Sequence, residues 1–308
     1  MLLRGMLRVI MIFAVALTGV SGAGATAGAA ESGGEPLLYF NHAYGVLDRE
    51  TADAIEDSAY LREFANFQVR TTTGADGQTW TGRYLMGRET YVELFGVGDL
   101  AGPDGTLGAG GLGVSAERAG DLAKAVDRLP SFGVAEPVLF QQTRDFGDGV
   151  PVPWFDAVFT DTQYDAFGAW GMEYRPEYFA DPRGNTEPAS GAGDVGRERY
   201  LSDDYGSRLM RDVTSIHLGV TQGDLADTVP LLRAGGFAVR VLADGGVVAD
   251  DGMTKVRLDA VPRERAGLRH IGFALNRAVP EQRVERIGDS ALVVGPGARA
   301  EWTFGGAE

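Results

Sequence analysis

One order of elements (strand, helix, strand, strand, strand) can be read three times along this chain. A unit that recurs in this way must bury its apolar faces against its own copies. The first copy opens at residues 36–48 (PLLYFNHAYGVLD), apolar and aromatic enough for a strand. It runs into RETADAIEDSAYLREFANF, where Ala54, Ile55, Ala59, Leu61 and Phe64 make a helical face and Asp48 or Thr51 caps the start. Residues 67–72, 80–86 and 90–97 follow as strands separated by turn residues. The second copy has residues 110–115, the helix-like ERAGDLAKAVDRL, and strands at 136–143, 152–160 and 168–174. The third begins at Val213 (VTSIHLGV), passes through DLADTVPLLRAGG and continues in 238–242, 253–261 and 268–276, with residues 284–304 as a hairpin.

The second and third copies also agree letter by letter. GLGVSAERAGDLAKAVDRL set against HLGVTQGDLADTVPLL, with a three-residue gap, matches LGV to LGV and DLA to DLA and puts Gly111 in the place of His217. The expected fold class is α+β, with paired βαβββ modules at 36–98 and 110–180. A polar linker at 181–210 leads to a third βαβββ-like module with a C-terminal hairpin at 211–308.

The first 25 residues read as a signal peptide. Arg4 and Arg8 precede an apolar stretch at 9–20, which falls short of the roughly 20 residues that span a bilayer. Ala23-Gly24-Ala25 offers the cleavage site, with Ala29 and Ala30 as rivals, and 26–35 is a flexible leader. The expectation is export to the periplasm or beyond, with no membrane insertion after cleavage. No cysteine is present, which removes disulfides, thiolate metal sites and thiol nucleophiles. A formal net charge of -15 argues against nucleic acid and anionic membranes as partners and leaves a small molecule as the expected one.

A βαβββ module with His42 at the start of its first strand (FNHAYGVLD) and Glu93 in its fourth (TYVELFGV) resembles the vicinal oxygen chelate superfamily. That superfamily includes glyoxalase I, bleomycin-resistance proteins and extradiol dioxygenases. The phrases TYVELF and WGMEYRPEY are also similar to an uncharacterised exported branch of it, a domain of unknown function. The resemblance covers most of residues 37–304. It implies that two modules face each other, that their mixed sheets curl into an open barrel, and that up to four side chains from first and fourth strands hold a divalent metal.

By that resemblance His42, Glu93 and Glu173 (in WGMEY) are the ligands, and the fourth place falls at Gly111, which has no ligating side chain. One imidazole and two carboxylates suit Zn, Fe, Mn or Ni and leave positions open for water and substrate oxygens. Glu93 or Glu173, on letting go of the metal, serves as a catalytic base, and the implied reaction is that of a lyase, isomerase or oxygenase.

The residues themselves leave other uses open. A metal-free module that sequesters a small molecule, or a structural and interaction role in the envelope, fits the same pattern. Aromatic residues concentrate in the second module. Trp154, Trp170 and Tyr174 beside Glu173 would line an apolar pocket, with Arg175 positioned for an anionic ligand group. His217 and His270 lack a facing module and read as structural. The GAGGLG run at 108–113 has the spacing of a dinucleotide fingerprint but no clear strand leading into it. The expected site is therefore a small-molecule pocket between the first two modules.

Overall fold

The computed structural model describes residues 35–73, 79–201 and 203–305; the expected signal peptide and nearly all of the leader lie outside the described residues. The first unit is β1 (Tyr39–Leu47), α1 (Arg49–Asp57), α2 (Ala59–Phe64), β2 (Asn66–Thr73), β3 (Thr79–Met86) and β4 (Tyr91–Gly96). The second is β5 (Gly110–Ser115), α3 (Asp121–Arg128), β6 (Val138–Arg144), β7 (Val152–Phe159) and β8 (Phe167–Tyr174), and α4 (Pro176–Ala180) and α5 (Arg197–Tyr200) lie in the connection that follows. The C-terminal half holds β9 (Met210–Val220), α6 (Gln222–Ala234), β10 (Ala238–Val241), β11 (Val247–Asp250) and β12 (Lys255–Ala260). It ends with β13 (Gly267–Val279), β14 (Arg283–Ile287), β15 (Ser290–Val294) and β16 (Gly297–Phe304).

These strands form two eight-stranded sheets, β2-β3-β4-β1-β5-β8-β7-β6 and β10-β11-β12-β9-β13-β16-β15-β14. The pairs β1/β4, β5/β8 and β9/β12 are parallel, as they must be when a helical crossover returns the chain to its starting end. Asp48 caps α1 through its carboxylate (Oδ1 to the Thr51 N–H, 2.7 Å), so the strand-to-helix switch occurs where the sequence places a capping residue.

The C-terminal half differs from the three-copy reading in one respect. Residues 268–276, expected as the last strand of the third module, belong to β13, which runs antiparallel beside β9 as β5 does beside β1. The last strand of the third unit is β12, and the short β11, unrecognised in GGVVAD, supplies the missing strand. The expected hairpin at 284–304 is in fact three strands. β13 thus opens a fourth unit in which a tight turn at 280–282 replaces the helix. The chain reverses one time fewer, so β13 and β16 are antiparallel where their counterparts are parallel.

Strand alternation divides each sheet into two faces. Leu38, Phe40, Val92, Leu94, Leu112 and Val114 of the first half share one core with Ile216, Leu218, Val256, Leu258, Ile271 and Trp302 of the second, together with Ile55 of α1 and Leu231 of α6. The sheets therefore lie back to back, with α6 against β8 and β1 against β13. Close approach at this seam needs glycine: at Gly108 (φ +75°) an added Cβ would fall 2.2 Å from the Ala266 carbonyl oxygen. Two buried aspartates tie the halves. Asp224 accepts from the backbone N–H groups of Asp165, Ala166 and Phe167 at the entry to β8, and Asp212 accepts from those of Glu89 and Thr90 at the entry to β4. The stretch 181–210, polar enough to read as a linker, is anchored by Arg197, which is 1% exposed, pairs with Glu117 and Glu89, and donates to the Phe40 carbonyl.

Candidate functional site: an aromatic cavity in the first sheet

The other face of the first sheet encloses a cavity of about 1010 Å³, lined by residues from both edge strands, β2 and β6, as well as from the centre. The sheet is thus curled but not closed. Its floor is set by β1 and β4. A register shift between Phe40 and His42 marks a β-bulge at Asn41, which turns Asn41 and His42 toward the cavity side while Phe40 stays in the core. Asn41 donates from Nδ2 to the hydroxyls of Ser115 (2.9 Å) and Tyr174 (3.4 Å), which leaves Oδ1 to accept from His42 Nδ1 at 2.8 Å. That bond puts the ring proton on Nδ1 and the lone pair on Nε2, which faces Glu93 Oε1 at 4.0 Å.

The His42 ring stacks on Tyr91 (centroids 4.4 Å apart, 12° between planes) and meets the edge of Trp170 at 5.2 Å. Enclosed in this way, it pays the desolvation penalty of a charge without an ion-pair partner, and burial pushes its pKa down to about 3. Burial likewise pushes Glu93 up to about 8, against the opposing pull of Arg70 and of a hydrogen bond from Tyr91. Near neutral pH the floor is therefore a neutral imidazole facing a protonated carboxyl, not an ion pair.

Trp170, Tyr174 and Trp154 line the cavity, and so do Tyr44, Tyr84, Phe155, Phe159 and Tyr200. Tyr200 comes from the connecting stretch and stacks on Tyr174 at 4.5 Å. Burial raises the phenols of Tyr84, Tyr91 and Tyr174, so they remain protonated donors.

Two residues expected in the site are elsewhere. Glu173 lies between Met172 and Tyr174, both of which line the cavity, so alternation sends it to the opposite face. There its oxygens accept from the Gly120 N–H (2.9 and 3.0 Å) and the Leu122 N–H (3.1 Å), and it acts as a side-chain cap for α3. Arg175 pairs with Asp156 (3.0 Å) and Glu177 (3.1 Å) outside the cavity lining. His217 and His270 are register partners on the outward face of the second sheet, and His217 bonds Asp259 at 2.7 Å.

Register explains why Glu173 is the wrong counterpart of Glu93. Tyr44, two residues past His42, pairs with Glu93; Gly113, two past Gly111, pairs with Trp170. The second-module counterparts of His42 and Glu93 are thus Gly111 and Trp170. A side chain at 111 would have to displace neighbouring rings, since a Cβ there would lie 2.3 Å from the Tyr44 ring and 3.0 Å from that of Trp170. Among the described residues no group of three or more His, Cys, Asp or Glu side chains is gathered as a metal centre requires. The donor set here is one imidazole and one carboxyl held 4.0 Å apart, fewer protein ligands than the three or four that hold a divalent metal, and it does not fit one.

Fold and site together define a protein built from repeated βαβββ units, with an aromatic cavity over a two-residue polar floor. The chain belongs to the Family of unknown function (DUF5829), whose profile matches residues 40–304. No curated protein matches it. Among solved structures it is similar to a hypothetical protein from Staphylococcus aureus, at 12% identity over 84% of this chain and 99% of that one, with a TM-score of 0.50. Weaker similarity extends to a Mn(II)-bound glyoxalase from Novosphingobium aromaticivorans (8% identity, 86% and 81% covered, TM-score 0.40). It extends also to a xylose isomerase-like TIM barrel/4-hydroxyphenylpyruvate dioxygenase fusion protein (12% identity, 78% and 37% covered, TM-score 0.39).

Tyr91, Tyr44, Arg70, Arg144 and Tyr200 were not singled out from sequence. Tyr44 and Tyr91 sit two residues from His42 and Glu93, so alternation alone places them on the same face. Tyr200 comes from a polar connection and carries no such signal.

Proposed function

We propose that this protein binds a small, flat organic molecule in the cavity of its first sheet without a metal, holding a polar end of the ligand against His42 and Glu93. One observation carries the reading: the floor offers a neutral acceptor, His42 Nε2, beside a protonated carboxyl, with the rings of Tyr91 and Trp170 packed against the imidazole. A ligand hydroxyl between them is matched with one donor and one acceptor, and its ring is matched with the walls. The metal-dependent reading is not carried by the donors present. A second reading, proton transfer on the bound molecule, is favoured by Glu93, since a carboxyl with a pKa of about 8 exchanges its proton near neutral pH. We also propose export, on the strength of the charged, apolar and small-residue pattern of the first 25 residues.

The test is a titration of the mature protein with the fluorescent aromatic amine N-phenyl-1-naphthylamine. Saturable one-to-one binding, unchanged by EDTA and weakened several-fold by Tyr200→Ala, is the expected result. Absence of saturable binding, or binding that EDTA abolishes, overturns the reading.

A further inference from the structure

The wall of the cavity holds two guanidiniums, Arg70 on β2 and Arg144 on β6, and the chemistry around them is one-sided. In a chain with 43 acidic against 28 basic side chains, neither has a carboxylate within ion-pair distance among the described residues. Arg70 donates to Gln68 Oε1 (2.6 Å), and Arg144 donates to the Tyr178 hydroxyl (2.8 Å). Asp145, which follows Arg144 in the wall, turns Oδ1 to the backbone N–H groups of Gly147, Asp148 and Gly149.

Arg144 is half-buried among rings, 5.0 Å from the centroid of Phe146 and 5.3 Å from that of Trp154. The indole N–H of Trp154 is itself buried with no acceptor among the described residues. A desolvated cation next to an unsatisfied donor is costly unless something supplies negative charge and acceptor atoms.

The two arginines come from opposite edges of the open sheet, yet both line the same cavity, together with Tyr200. They therefore face that cavity from its two edge strands. We infer that the cavity selects an anionic aromatic molecule, whose planar acid group is held by Arg70 and Arg144 while its ring lies in the aromatic trough toward His42. A guanidinium presents a fixed fork of donors that matches a carboxylate or sulfonate, and the rings around Arg144 exclude the water that would otherwise screen the pair. The inference rests on the reading of the cavity as a small-molecule site and adds the charge of what it takes.

Two probes with the same aromatic body separate the two claims. 8-Anilinonaphthalene-1-sulfonate carries the acid group and N-phenyl-1-naphthylamine lacks it. The sulfonate should bind one-to-one and about tenfold to a hundredfold more tightly than the neutral amine. That ratio should collapse toward one in Arg70→Met/Arg144→Met and fall partway in Arg144→Lys, which keeps the charge but loses the fork. Thermal melts confirm that each variant is folded, and Arg70→Met alone serves if the double variant is not. Equal affinities in the wild type, or a ratio that survives loss of the arginines, overturns the anionic preference and leaves the aromatic site standing. If neither probe binds saturably, the site reading fails and the preference falls with it.

Discussion

Replacing Glu93 with glutamine tests the electrostatics of the cavity floor without needing its ligand. Glutamine has the shape of the protonated acid and cannot ionise. In the wild type the carboxyl titrates at about 8 in the folded state, against a value of 4.5 for an ordinary glutamate. The folded protein therefore holds this proton more tightly than the unfolded chain, and the associated stability is fully present below pH 4.5 and lost as pH rises through 8. Integrated between pH 6 and pH 9, the loss comes to roughly 2–3 kcal/mol. The side chain is only 18% exposed, so solvent screening leaves most of that figure in place. Urea denaturation at half-unit steps from pH 6 to pH 9 should show wild type and Glu93→Gln diverging by about that amount, with the variant the more stable at the alkaline end. Parallel curves would falsify the buried, uncompensated carboxyl on which the neutral floor depends.

Two further substitutions probe the placement of the other residues. Glu173→Ala removes the acceptor for the Gly120 and Leu122 N–H groups; it should lower stability by about 1–2 kcal/mol in chemical denaturation and leave naphthylamine binding unaltered. Gly111→Ala forces a methyl into the Tyr44 and Trp170 rings and should cost about 1–3 kcal/mol in the same assay, which is why a histidine has no place there.

The helix caps, the strand periodicity and the repeated order of elements are local properties, so the sequence alone determined the βαβββ units, the capping role of Asp48 and the face on which Glu93 lies. Alternation around TYVELF needs only that β4 be a strand with Val92 and Leu94 in the core. The same alternation in WGMEY sends Glu173 away from the face of Met172 and Tyr174, and only the register counted from Gly111 shows that Trp170, not Glu173, answers to Glu93. The number of units in the C-terminal half was hidden because β13 has no helix after it, and a unit without its helix loses the change of period that marks it.

What only the tertiary structure decided is the content of the cavity. Whether His42 is charged depends on the rings of Tyr91 and Trp170 packing against it, and those rings arrive from other strands at a register no local pattern specifies. Arg70, Arg144 and Tyr200 line one cavity because a curled sheet brings its two edges and a distant connection together. That long-range approach turns scattered arginines and tyrosines into a site, and no span of the sequence contains it.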